Sequence, residues 1–95
     1  MEPLRTPEAD RLFDAILRLS TREECYAFFE DLCTIREVRD LSQRSEVARM
    51  LAAGKSYQEI SVATGASTAT ICRVNKCLLY GEGGYRAALA AEDEE

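Results

Sequence analysis

Three times in 95 residues the chain repeats one helix-start signal: Thr21-Arg22-Glu23-Glu24, Thr34-Ile35-Arg36-Glu37 and Ser56-Tyr57-Gln58-Glu59. At this spacing the leading hydroxyl accepts the backbone N–H three residues on, while the Glu reaches back to the N–H of the capping residue. Thr6-Pro7-Glu8 is a fourth start, with a capping hydroxyl, Pro in the first turn where its missing N–H is harmless, and an acid at the positive end of the dipole. No alternating strand pattern or internal repeat competes, so the expected class is all-α. A chain this short folds as one domain and buries only roughly two-thirds of its unfolded surface. A partner subunit is one way to add what the small core lacks.

The apolar positions divide the chain accordingly. Leu12, Phe13, Ile16, Leu17 and Leu19 form one stripe of a helix ending near Ser20. Cys25, Phe28, Phe29, Leu32 and Cys33 form the broad face of the next, with Tyr26 at its edge. Val38, Leu41, Val47, Ala48, Met50 and Leu51 mark a long run closed by Gly54. The polar stretch Leu41-Ser42-Gln43-Arg44 leaves open whether that run is one helix or two. A short helix from Tyr57 to Thr64 stops at Gly65, and residues 67–80 form the next, closed by Gly81-Glu82-Gly83-Gly84. Tyr85 to Ala91 adds a turn or two of helix before a frayed acidic tail, Glu92 to Glu95. The single domain therefore divides into N-terminal helices over 7–53, a helix-turn-helix over 56–80 and a C-terminal part over 81–95.

Several function classes drop out. The chain has no His, so the usual general base and the commonest metal ligand are both missing, and no group is placed to activate a Ser or Cys. The expectation is that it is not an enzyme. Cys25, Cys33, Cys72 and Cys77 match no zinc pattern, and Cys25, Cys33 and Cys72 fall among apolar neighbours where a free thiol acts as a small hydrophobe. They are expected to be structural thiols, with no metal. No run nears the ~20 apolar residues of a membrane span, and the acidic N-terminus is unlike a signal peptide. A soluble cytoplasmic protein is expected.

Net charge is −5, which taken alone speaks against a nucleic-acid partner. Its distribution reverses that. Residues 41–80 carry Arg44, Arg49, Lys55, Arg73 and Lys76 against only Glu46 and Glu59. The acids concentrate before and after. A local cationic excess suits a phosphate-facing surface, and a solvated mixed-charge surface explains it equally well.

The segment from Tyr57 to Lys76 favours the first over an ordinary helical hairpin with a polar face. Two short helices joined tightly must cross steeply, and Gly65 supplies the turn. Ile60 points inward from the first helix with small Ser61 beside it, and Ile71 and Val74 pack back from the second. The outward face is then Ser67, Thr68, Thr70, Arg73 and Lys76, with Ala66 and Ala69 small between them. Hydroxyls bond phosphates or base edges, methyls meet thymine, and Arg73 offers paired donors where Lys76 is a point charge. No acid stands between Glu59 and Glu82. A face meant only for water would favour Glu, Lys, Gln and Ala over Ser and Thr, which are mediocre inside helices.

Gly65-Ala66-Ser67-Thr68-Ala69-Thr70-Ile71-Cys72-Arg73-Val74-Asn75-Lys76-Cys77-Leu78, with Tyr80-Gly81 and Gly83-Gly84-Tyr85, closely resembles the YerC/YecD group of Trp-repressor-like proteins. Phe28-Phe29-Glu30-Asp31-Leu32-Cys33-Thr34 and Gln43-Arg44 belong to the same pattern, so the likeness covers roughly residues 20–87. It implies a Trp-repressor-like multi-helix domain forming an intertwined homodimer, with two helix-turn-helix heads that each lay a second helix in the major groove of double-stranded DNA.

For the Trp repressor's corepressor pocket, the resemblance matches Thr34, Arg44, Thr70 and Arg73 in kind. Val74 stands where that repressor has Gly against the indole ring, Cys77 where it has Ser, and Asp31 and Cys33 where it has Leu. The resemblance therefore implies a pocket of Thr34, Arg44, Thr70, Arg73, Val74 and Cys77 that holds no tryptophan, leaving DNA binding without an effector or with a different small molecule. The expected function is a sequence-specific transcriptional regulator, a repressor. Lys55, Arg73 and Lys76 would neutralise phosphates, Ser56 and Gln58 would touch the backbone or groove edge, and Ala66, Ser67, Thr68 and Thr70 would face bases. Short side chains on that face leave much of the readout to water and DNA shape. The alternative is a helical dimeric adaptor that binds a protein, to which the acidic flanks would suit.

Overall fold

The computed structural model describes residues 2–93, with side chains described from 3 to 89, and every regular element among them is helical. A 3-10 turn over Glu2–Leu4 precedes six α-helices: α1 Pro7–Leu17, α2 Arg22–Leu32, α3 Ile35–Ala52, α4 Tyr57–Thr64, α5 Thr68–Tyr80 and α6 Gly84–Asp93. The fold divides into two compact units, one through Val38 and one from Arg39 onward. No helix among the described residues is long and apolar enough to cross a membrane.

In the first unit the helix starts form as their sequences predict. The Thr6 hydroxyl accepts the Ala9 N–H at 3.0 Å, with Pro7 opening α1. Ahead of α2, the Thr21 hydroxyl accepts the Glu24 N–H at 3.1 Å. The Glu24 carboxylate returns to the N–H groups of Ser20 (2.7 Å) and Thr21 (3.3 Å). Those bonds, the Ser20 backbone first and its hydroxyl next, hold the Glu24 carboxyl below the usual carboxylate range. Phe28 and Phe29 meet edge to face with centroids 5.7 Å apart. α1 ends two residues earlier than its apolar stripe, because Leu19 turns back to the Ile16 carbonyl beyond the last α-helical residue. Neither α1 nor α2 buries a residue.

α3 is one uninterrupted helix of 18 residues, which resolves the question left by its polar stretch. Thr34 and Glu37 cap it reciprocally at 3.1 and 2.8 Å. It ends in a Schellman pair of bonds, from Lys55 N–H to the Met50 carbonyl and from Gly54 N–H to that of Leu51, both 3.0 Å. On its exposed side Arg49 pairs with Glu46, whose carboxyl is held low by the hydrogen bond from that guanidinium.

The second unit is built on Val47 and Ala48 of α3, Ile60 of α4, Ala66 of the turn and Ile71 and Val74 of α5, all at 2% exposure or less. Met50, Leu51, Tyr85 and Leu89 pack around this centre. α6 is a full helix of 10 residues, longer than the turn or two expected, and it runs through Glu92 and Asp93; the rest of the expected acidic tail lies outside the described residues. α6 also closes the end of α5, where the Arg86 Nε donates to the Leu78 carbonyl at 3.1 Å. Gly81 permits that closure, because a Cβ there would run into the Cys77 carbonyl.

Candidate nucleic-acid interface

The α4–turn–α5 segment is a helix-turn-helix whose turn is held from several directions. Gly65 sits at φ +75°, a left-handed conformation in which a side chain would be strained, and its N–H returns to the Ser61 carbonyl at 2.9 Å. The Thr64 hydroxyl donates to the Ile60 carbonyl (2.7 Å) and accepts the Ala66 N–H (3.1 Å). The Ser61 hydroxyl donates to the Ala66 carbonyl at 3.1 Å. From α3, the Gln43 amide donates to the Thr64 carbonyl at 3.1 Å, across 21 residues of sequence. No buried side-chain polar atom among the described residues lacks a partner.

With Ile71, Val74 and Leu78 turned into the core, helical periodicity puts Ala69, Arg73, Lys76 and Tyr80 on the opposite side of α5. Ser67, Thr68, Arg73 and Lys76 are all exposed, and Thr70 is half-buried. Neither Arg73 nor Lys76 is hydrogen-bonded or ion-paired among the described residues. Ser67 is the N-cap of α5: its hydroxyl accepts the Thr70 N–H and donates to the Thr70 hydroxyl, both at 3.2 Å. That hydroxyl is therefore occupied in the free protein, whereas Thr70 keeps its own proton to donate and Thr68 is open.

At the start of α4, Lys55, Ser56 and Gln58 are exposed. Ser56 and Glu59 cap the helix reciprocally at 3.1 and 2.8 Å. The Ser56 N–H, then its hydroxyl and, more weakly, the Lys55 charge keep the Glu59 carboxyl below its ordinary range. The last acid in sequence before the acid-free segment is thus engaged by its own cap.

Two expectations are corrected. Ala66 does not lie on the outward face; its side chain is 2% exposed and belongs to the core, because the left-handed step at Gly65 turns the chain inward before Ser67. The thiols are not packed as small hydrophobes within the chain. Cys25, Cys72 and Cys77 are exposed and Cys33 is half-buried, all of them unpaired. Cys72 follows the buried Ile71, and one step rotates a helical side chain by about 100°, out of the core.

A family model described as Trp repressor protein matches residues 7–93 of the chain. The chain belongs to the Trp repressor protein family. Within the family it falls in the YerC group. The YerC protein of Bacillus subtilis strain 168, itself uncharacterized, is 56% identical over 89 residues, covering 94% of this chain and 86% of that protein. A TrpR-like protein from Eubacterium eligens ATCC 27750 superposes with a TM-score of 0.94 at 48% identity, covering 98% of this chain and 96% of that one. A candidate Trp repressor from Staphylococcus aureus gives 0.93 at 50% identity, covering 99% and 94%.

The six residues expected to form an effector pocket fall partly in the core and partly on the surface, and in both units. Val74 is 1% exposed and forms part of the core. Its isopropyl group shares that core with Ile71. Arg44 is half-buried on α3, Thr70 is bonded to the α5 cap, and Arg73 and Cys77 face outward. Thr34 lies in the other unit, with its hydroxyl engaged by the start of α3. Sequence reading overlooked the bonds made by Gln43, Ser61, Thr64 and Arg86. Ser61 and Thr64, hydroxyl residues in the last turn of a helix, carried a local hint of theirs.

Proposed function

We propose that this chain is a sequence-specific DNA-binding transcriptional regulator, a repressor acting in the cytoplasm as a homodimer and reading the major groove with α5. The observation that carries the reading is the outer face of α5. Its inner face is fixed by the core, while Thr68, Arg73 and Lys76 are left free on a segment without acids. Arg73 binds a guanine edge or a phosphate, Lys76 and Lys55 neutralise phosphates, and Thr68 and Thr70 face bases. Ser56 and Gln58 meet the backbone at the start of α4, and the hydroxyl of Ser67 is spent on holding α5 in shape. The homodimer accounts for the apolar side chains that the first unit leaves exposed, Leu17 at 80% and Ile35 at 72% among them. Tryptophan is not the corepressor in this reading, because Val74 occupies the inner face of α5. DNA binding proceeds without an effector or with a different small molecule.

Selection of bound fragments from the source organism's genomic DNA tests this, with purified protein and no added effector. The expected result is a two-fold symmetric site with half-sites about one helical turn apart (~34–36 Å). Recovery of nothing above background, with or without tryptophan or a small-molecule extract, would move the assignment to a dimeric adaptor. On the recovered site, Arg73→Ala is expected to weaken binding by about 1–3 kcal/mol. Unchanged affinity at moderate salt would remove Arg73 from the interface.

A further inference from the structure

Gln43 lies on the core side of α3, one turn before Val47 and in line with Met50 and Leu51. An apolar residue would continue that stripe. Instead the half-buried amide crosses to α4 and donates to the Thr64 carbonyl at 3.1 Å, one of the last four carbonyls that α4 cannot satisfy internally. Thr64 is also the hub of the turn, through its hydroxyl bonds to Ile60 and Ala66. The apolar contacts between α3 and the helix-turn-helix resist separation but are non-directional, so they hold rotation weakly. A hydrogen bond is directional.

We infer that Gln43 is a positioning residue, setting the angle at which the α4–α5 head stands on α3 and thereby the half-site spacing that the protein accepts. The spacing claim rests on the reading of a DNA-binding dimer given above. Adding one base pair between half-sites moves one of them by about 3.4 Å and turns it by roughly a tenth of a helical turn. Two heads held rigidly reject that displacement. Heads released to rotate on their α3 helices follow it.

Gln43→Met tests both halves, since Met keeps an unbranched side chain of similar length and good helix propensity but cannot donate. Without DNA, backbone residual dipolar couplings of the full chain compare the orientation of α4 and α5 relative to the second half of α3. The inference expects a changed or broadened orientation in the variant, and couplings identical to wild type would overturn it. On duplexes with the selected spacing and with one base pair added or removed, wild type is expected to discriminate sharply. Gln43→Met should lose about three- to tenfold on the selected spacing, the usual effect of one such bond. Its affinity for the altered spacings should hold or rise. An equal loss on all three duplexes would show that Gln43 only stabilises the fold, and would overturn the spacing claim. A wild-type chain that binds no duplex defeats the DNA reading and the spacing claim with it, while the couplings alone decide the positioning of the head.

Discussion

In the unit that ends at Val38, neither α1 nor α2 buries a residue, whereas the unit from Arg39 onward holds every buried side chain among the described residues. Both have well-formed caps and amphipathic helices, so local helix formation does not separate them. What separates them is closure. α3 to α6 surround a small apolar centre and join it with side-chain bonds from Gln43, Ser61, Thr64 and Arg86. α1 and α2 leave Phe13, Leu17, Tyr26 and Leu32 in the open. One unit closes its core within the chain and the other does not, which fits the division between DNA reading and dimerisation proposed above. A second copy of the chain is the occupant we propose for those open faces.

The comparison breaks first at its stronger side. Ile71→Ala removes most of a fully buried side chain, and about 2–5 kcal/mol of unfolding free energy should go with it, at any protein concentration. A loss below about 1 kcal/mol in denaturant titration would show that the core of the second unit is not closed. The first unit is tested by dilution. If a second copy covers α1 and α2, a hundredfold rise in protein concentration stabilises the wild type by on the order of 2–3 kcal/mol. Phe13→Glu should remove that dependence and leave a monomer in sedimentation. Melting of the wild type that is independent of concentration would contradict the comparison outright.

The smallest effect concerns a feature the two units share. Glu24 caps α2 and Glu59 caps α4, and both carboxyls are depressed by hydrogen bonds at the helix start, from Ser20 and then Thr21 for Glu24 and from Ser56 for Glu59. A depressed folded-state value means that the proton binds the unfolded chain more readily. The stabilisation is therefore fully present above the unfolded carboxyl range, about pH 4.3, and fades as pH falls through the folded value. Thermal melts from pH 7 to pH 3 should show stability declining on that acid limb, and Glu59→Gln should flatten it. An acid limb unchanged in Glu59→Gln would remove this cap from the account.

Where one residue and its near neighbours sufficed, the sequence was readable. The capping pairs at Thr21, Thr34 and Ser56, the turn at Gly65 and the inward Ile60, Ile71 and Val74 all follow from spacings of three or four or from one backbone conformation. Ala66 was misplaced because it was counted along the phase of α5, although the turn stands between it and that helix. Cys72 was misjudged for a related reason: apolar neighbours in sequence lie on other sides of the same helix. The bond from Gln43 to Thr64 was invisible because it spans 21 residues and depends on how α4 crosses α3. No local rule encodes that crossing. Of the candidate site, the outward Thr68, Arg73 and Lys76 were legible from periodicity, and the engagement of Ser67 in its cap emerged only from the geometry.

The most direct test of the account is the salt dependence of binding to the selected duplex. If Lys55, Arg73 and Lys76 on two heads contact phosphates as proposed, counterions are released, log affinity should fall steeply and linearly with log salt concentration, and Lys76→Ala should make the slope shallower by about one phosphate per head. Binding that barely responds to salt, with a slope unaltered in Lys76→Ala, would contradict the assignment of α5 as the DNA-reading helix.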